Sequence, residues 1–431
     1  MSFQELHEAA ALPSASAANQ LAISLRAEGR LAEAIAVFRE GTNDYPEVAE
    51  LHQNLAHALY EAGDNDGAIA AYQRALEVDP ESVAAHLALF ELFQITGERS
   101  RALEHQRRAL ERQRVFSAPA PREARSVLVI CAPGDWQANI PVDFLFDRQT
   151  TTVHKLYLLD EQRLASEDLP PYDIAWNTIA ESPESHATLE LAERFLRHQP
   201  KPSLNAPARV LQTARLNLAK TLAGTGATIA PIVEIARDAL AGAVTLFAYP
   251  IIARPVGSHA GTGLERIDAA DELAGYIERN EATSYYVSPF IDYRNADGFY
   301  RKHRIIFVDG EPYPCHLAIS PRWMIHYYNA AMAENAWMRD EEARFLEDIR
   351  SVYDGERYET LKAIARAVDL EYFGIDSSIG PDGRVLVFEA DPAMLVHTSD
   401  PIDLYPYKHR YVPRIYRALE RMIDKRRPAD T

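Results

Sequence analysis

The sequence predicts an α + α/β protein, a helical repeat stack followed by an α/β body. Three observations predict it. Glycines and small residues recur every 34 residues through the first quarter of the chain. Short apolar runs then alternate with amphipathic stretches. Near the C-terminus, a hairpin pattern places three carboxylates on one face of an apolar segment.

Length and charge set the bounds. A chain of 431 residues, 47% hydrophobic and 25% charged, has the composition of two or three globular domains. The 63 acids against 45 bases leave a net charge of −18. A general nucleic-acid or anionic-membrane partner calls for a dominant basic face, so both are excluded; a local basic pocket for an anion is not. The two cysteines, Cys131 and Cys315, are too few for a disulfide framework and read as reduced and structural. No run approaches about 20 apolar residues. Met1 to Ser14 lacks the pattern of a secretory signal. The expectation is a soluble cytoplasmic protein.

Gly29, Gly63 and Gly97 set the 34-residue period, which Ala34, Ala68 and Ala102 repeat. Gly41, Ala75 and Ala109 keep it too, as do Pro46 and Pro80, and Leu55 and Leu89. Phe38 and Tyr72 fill an aromatic register that holds Gln106 in the third copy. Glycine ends one helix so that the next can begin, small residues allow close helix crossings, and proline stops the second helix. This pattern, over residues 15–115, resembles the tetratricopeptide repeat (TPR) family. The resemblance implies a groove lined by Asn19, Asn54 and His57, three positions that also read as plain solvated polar residues. The stack would serve as a groove for a protein or peptide partner, as a homodimer surface, or as a lid.

A Pro/Ala hinge, Ser117 to Pro121, ends the stack. Ser126 to Cys131, Val153 to Leu159 and Tyr172 to Ile179 read as strands, and Thr188 to His198 as an amphipathic helix, which together mean a mainly parallel sheet. A further helical segment runs through Lys220, in a chain with no lysine before Lys155. Next, Pro250 to Ile267 reads as strand, loop, strand. Its Gly257, Gly261 and Gly263 lie close together beside Ser258 and Arg254, as in loops whose backbone N–H groups approach a phosphate. A plain hairpin loop fits the same residues. The Gly-Lys-Ser/Thr of a Walker A loop is missing.

Further on, Arg301-Lys302-His303-Arg304 opens a strand that ends at an Asp309-Gly310 turn. Strand alternation sends Arg301 and His303 one way and Lys302 and Arg304 the other, so one pair would line a polyanion site. The aromatic and cationic stretch Pro314 to Asn329 follows, and His316, Arg322, His326 and Asn329 are its candidates for an acceptor pocket. Asp382-Gly383 then reads as a two-residue hairpin turn. That turn would pair Pro381 with Arg384 and Asp376 with Glu389, with Asp391 on the same face. Like charges placed opposite each other destabilise a sheet. The simplest compensation is a divalent cation, Mg²⁺ or Mn²⁺.

Residues 125–425 together resemble the ATP-grasp superfamily, nearest its D-alanine–D-alanine ligase and glutathione synthetase type. The resemblance implies Asp376, Glu389 and Asp391 as metal ligands, with Asp391 where the family has Asn. It implies Lys220 and Arg254 on the ATP phosphates, and Gly257, Ser258, Gly261 and Gly263 in the loop that closes over them. Pro289-Phe290-Ile291 would be the adenine hinge, without the family's Glu, and Arg304 the transition-state arginine. The implied activity is ATP- and Mg²⁺-dependent carboxylate–amine ligation through an acyl phosphate, on a small molecule or peptide. A degenerate nucleotide-binding module in a TPR adaptor and a small-molecule kinase are the alternatives. The expected boundaries are 1–116 for the repeats, 117–124 for a linker, 125–230 for a pre-ATP-grasp α/β domain and 231–425 for the ATP-grasp domain.

Overall fold

The computed structural model describes residues 14–161, 168–240, 246–258, 261–325 and 330–428. It divides into two compact units, Met1–Phe116 with Pro133–Trp136, and Ser117–Ala132 with Gln137–Thr431.

Among the described residues, the first unit holds six helices: α1 (Ala15–Ala27), α2 (Leu31–Asp44), α3 (Ala49–Glu61), α4 (Asn65–Val78), α5 (Val83–Ile95) and α6 (Arg99–Arg112). Gly29, Gly63 and Gly97 turn the chain within each pair with φ of 78°, 81° and 80°. That left-handed region costs a side-chain-bearing residue about 1–2 kcal/mol, which explains the glycine period. The recurring alanines are fully buried at the crossings, with Phe38, Leu51, Leu89 and Phe93 in the core between them. Asn19 and Asn54 do not sit as isolated solvated groups. Asn54 Nδ2 donates to Asn19 Oδ1 at 2.7 Å and Asn19 Nδ2 to Glu50 Oε1 at 2.8 Å, which ties α1 to α3. His57 is exposed beside Arg26 and Glu61.

The break in the aromatic register has a physical reason. Gln106 is buried, and its amide forms a reciprocal pair with the Gly134 backbone: Gly134 N–H donates to Oε1 at 2.8 Å, and Nε2 donates to Gly134 O at 2.9 Å. Trp136 N–H donates to Gln94 Oε1 at 2.7 Å, and Arg99 meets Asp135 at 3.1 Å. The third repeat therefore holds residues 133–136 as a docked peptide, for which an aromatic ring has no donor or acceptor.

Among the described residues, the second unit contains three sheets. The first has the order β1-β3-β2-β4-β5, with β1 (Val115–Ala118), β2 (Arg125–Cys131), β3 (Thr151–Tyr157), β4 (Ile174–Asn177) and β5 (Ser203–Leu204). Its β2–β3, β2–β4 and β4–β5 pairings are parallel. The near-continuous burial of β2 and β4 matches a sheet covered on both faces. Helix α7 (His186–Arg197) packs Leu189, Leu191 and Ala192 inward. The second sheet, β6-β9-β7-β8, is antiparallel and comprises β6 (Val233–Ala236), β7 (Ile251–Pro255), β8 (Glu265–Ile267) and β9 (Ser284–Pro289).

The third sheet, β11-β10-β12-β13, is also antiparallel: β10 (Tyr300–Val308), β11 (Glu311–Ser320), β12 (Tyr372–Ile379) and β13 (Val385–Asp391). Asn205, at φ 56°, fixes its start. Its side chain donates to Tyr372 O at 2.7 Å and accepts from Tyr372 N–H at 2.9 Å. Thr228 lies along β13, accepting from Val387 N–H and donating to Val385 O. That covers a sheet edge which would otherwise present unpaired backbone groups.

The hairpin corrects one expectation. Gly380, not Pro381, pairs with Arg384, so the loop is Pro381-Asp382-Gly383 with Gly383 at φ 76°. It is one residue longer than a two-residue turn. Asp376 still pairs with Glu389, because β13 carries one extra residue, Phe388, between Val387 and Glu389. The bulge offsets the longer loop.

Replacing Gln106 by Leu is expected to raise amide exchange at Gly134 and Trp136 about 5–10-fold, the loss of roughly one net hydrogen bond, while exchange within α1–α4 stays unchanged. Hydrogen-exchange mass spectrometry reads both.

Candidate functional site

The β10 alternation divides the four basic residues as expected. Lys302 and Arg304 face one side. On the other, His303 is buried against Phe345 and Tyr353, and Arg301 is tied to Glu341 and Asp297. Registration across the sheet then makes a row of one polar residue per strand: His316, Arg304, Asp376, Glu389. Bulges flank this row on both outer pairings, one at Phe388 and one at Cys315, the extra residue between Pro314 and His316. Each bulge re-aims side chains beside the row.

Asp376 is the centre. It is 2% exposed, and both its oxygens are occupied. Arg304 Nε meets Oδ1 at 3.0 Å and Arg304 Nη2 meets Oδ2 at 3.2 Å, a bidentate pair, while Lys302 Nζ meets Oδ2 at 3.1 Å. Burial opposes ionisation, but the two cations outweigh it and hold the Asp376 carboxyl well below the usual range. The same contest, with Arg215 as cation, lowers Glu389. Arg215 reaches Glu389 Oε2 at 2.5 Å from the first residue of helix α8 (Arg215–Thr221). Asp391 goes the other way. Burial and the charge of Glu389 push it up to about 6, although Ala393 N–H donates to it at 2.7 Å.

Arg254, at the end of β7, lies close enough to Arg215 and Glu389 to feel both charges. Burial and Arg215 bring its guanidinium down to about 10, so it is still a cation at neutral pH. It holds Ser258 through Nη2 and Nε, and Ser258 Oγ donates back to Pro255 O at 2.7 Å. Gly257, Gly261 and Gly263 have φ of 74°, 76° and 66°, and a Cβ on Gly263 would lie 2.6 Å from Pro255. His259 and Ala260 of this loop lie outside the described residues. Pro289 pairs with Ile251, and Phe290 N–H donates to Pro250 O at 2.9 Å. Phe290 packs edge-on against Trp323 with the Arg266 guanidinium 4.4 Å over its ring. With Ile291, Tyr293, Tyr300 and Phe388 it forms an aromatic cluster beside the row.

On the β11 side, Glu342 is completely buried in helix α9 (Ala336–Glu347). His316 Nδ1 meets its Oε1 at 2.6 Å, Leu317 N–H donates to Oε1 at 3.1 Å, and Tyr407 O–H donates to Oε2 at 2.6 Å. Lys408 lies 3.4 Å from Oε1 and 3.1 Å from Asp400. Burial opposes its ionisation, and His316, Lys408 and Tyr407 keep Glu342 below the usual range.

The row thus gathers Lys302, Arg304, His316, Asp376, Glu389 and Asp391 on one face of the third sheet. Arg301 is on the opposite face. Arg322 is exposed. His326 and Asn329 lie outside the described residues. Lys220 is exposed on α8, about 140° around the helix from Arg215. Sequence reasoning missed Arg215, Glu342, Tyr407 and Lys408. Arg215 alone carried a signal, as the first basic residue of the helix on which Lys220 was singled out.

Oxygen donors of this kind suit a hard divalent cation, and Asp391 is raised first by burial and then by the charge of Glu389. As the side chains stand, no group of three or more His, Cys, Asp or Glu among the described residues is gathered to hold a metal. The expectation that repulsion is left for a metal to relieve is corrected to this extent: Lys302, Arg304 and Arg215 already answer much of it.

Residues 56–94 match the family model described as TPR repeat. No curated protein matches the chain. Among solved structures it is similar to the VanG D-Ala:D-Ser ligase of Enterococcus faecalis, at 13% identity and TM-score 0.44, over 70% of this chain and 98% of that one. It is also similar to a RimK domain protein ATP-grasp of Sphaerobacter thermophilus DSM 20745, at 12% identity and TM-score 0.42, over 69% and 99%. The TPR resemblance meets its counterpart in the family model over residues 56–94. At such identities and scores, function is read from the site's own geometry. No described helix is long and apolar enough to cross a membrane.

Asp391 supplies a pH prediction. Its folded pKa, about 6, lies above its ordinary value, so the fold binds that proton more tightly than the unfolded chain does. The associated stability is present below the ordinary value and is lost as pH rises through about 6. In chelating buffer, Asp391→Asn is expected to raise stability at pH 8 by about 1–2 kcal/mol, after discounting for partial solvent screening, and to change it little at pH 4. Urea unfolding at the two pH values measures the difference.

Proposed function

We propose that the chain is an ATP- and Mg²⁺-dependent carboxylate–amine ligase, ADP-forming, acting through an acyl phosphate on a small molecule or peptide. One observation carries the reading: three carboxylates and four cations converge on one sheet face, beside a glycine loop and an aromatic cluster. Phosphoryl transfer asks for little else, since its catalysis is positioning and charge neutralisation.

The roles follow from placement. Arg215 and Arg254 lie on the loop side and hold the phosphates, with Arg215 taking the part first assigned to Lys220. The loop with Gly257, Ser258, Gly261 and Gly263 covers them, and the adenine lies against Pro289-Phe290-Ile291. Asp376, Glu389 and Asp391 would hold the metal, which would supply neutralisation of phosphate charge. Arg304 faces the reacting carbonyl and stabilises its developing oxyanion. Lys302, beside Arg304 on the same carboxylate, lies where the donor meets the polyphosphate and orients the two. His316, held by Glu342, lines the acceptor side. The TPR unit takes a peptide or protein partner. One observation favours a second reading, a nucleotide-binding module without turnover in a TPR adaptor: both oxygens of Asp376 are occupied by side chains of the protein itself.

Incubation with ATP, Mg²⁺ and pooled amino acids and peptides is expected to release ADP and phosphate in equal amounts. Glu389→Gln should lower this at least about 100-fold. ADP without phosphate would indicate a kinase. Binding of ATP with no ADP from any pool would leave the adaptor reading standing.

A further inference from the structure

Two of the three carboxylates, Asp376 and Glu389, are already paired with cations that reach them on long side chains. Asp376 is held in the middle of β12 with its side chain 3% exposed. Lys302, Arg304 and Arg215 reach the carboxylates on long flexible stems and keep side-chain exposures of 22%, 29% and 27%. With Arg254 nearby, four cations stand against these three carboxylates. A bare divalent cation must displace these cations first, since both Asp376 oxygens are engaged by them. A polyanion meets the reverse.

Resting on the nucleotide reading above, we propose that Lys302, Arg304 and Arg215 act as exchangeable counter-ions that make metal binding conditional on the polyphosphate. The polyphosphate binds without metal. It draws the three side chains from carboxylate to phosphate oxygens, and the vacated Asp376 and Glu389 oxygens then become ligands. No covalent bond changes, and each ion pair broken on a carboxylate is replaced by one on a phosphate. Lys302 is the sharpest probe, because it shares Asp376 with Arg304 and touches that carboxylate through a single Nζ contact.

The test uses the full chain and binding alone. Mn²⁺ is followed by its free-ion paramagnetic resonance signal, and the non-hydrolysable analogue AMP-PNP by calorimetry in EDTA. Mn²⁺ alone is expected to leave its free signal unchanged, while AMP-PNP in EDTA binds within about tenfold of its affinity with Mg²⁺. Lys302→Met should move the two affinities in opposite directions, raising that for Mn²⁺ alone and lowering that for metal-free AMP-PNP, each about tenfold. Lys302→Arg should restore both. A misfolded variant cannot gain metal affinity, so the crossed signs separate the proposal from damage. Mn²⁺ binding as tightly alone as with the analogue overturns it, and so does analogue binding that strictly needs metal. No analogue binding under either condition overturns the nucleotide reading itself.

Discussion

A buried carboxylate clamped between two cations organises the second unit. Burying Asp376 carries a desolvation cost of several kcal/mol, and only close, well-aligned partners offset it. Arg304 and Lys302 supply them from the neighbouring strand, two residues apart on one face. Losing one partner of such a buried pair typically costs about 3–5 kcal/mol, so the register of β10 against β12 admits little slippage. The polar groups on β11 and β13 are set by that central pairing, and the two bulges adjust the outer strands to it.

Supports around the row serve the same end. Asn205 fixes where β12 begins, and Thr228 covers the free edge of β13. Glu342, satisfied by His316, the Leu317 backbone, Tyr407 and Lys408, anchors α9 to β11 without leaving a buried charge unpaired. The TPR unit is built on a different principle, a chain of small-residue crossings with left-handed glycines between helices. Gln106, which breaks the aromatic register, is explained by the peptide segment it holds.

Much of this was legible in the residues. Period, composition and hinge mark the repeat stack, because paired helices demand glycine and small residues at fixed intervals. Strand alternation is strict, so Lys302 and Arg304 could be placed opposite Arg301 and His303. The Asp376–Glu389 pairing was reached through a turn that is one residue too short, and it survives because a bulge supplies the missing residue. Two errors cancelled, since loop length and bulges leave almost no mark in a single sequence. Arg215 was passed over for Lys220 because a short helix does not reveal which of its faces meets a strand more than 150 residues away.

By itself the sequence determined the repeat stack, the α/β body and the face on which the carboxylates lie. Those are properties of local period and residue type. Only the tertiary structure decided what the carboxylates touch. Whether Asp376 waits for a metal or is held by Arg304 and Lys302, and whether Arg301 serves the site or Glu341 behind it, depends on distances between strands and helices far apart in the chain. Electrostatic energies fall with those distances and with local burial, and neither quantity is written in the order of residues.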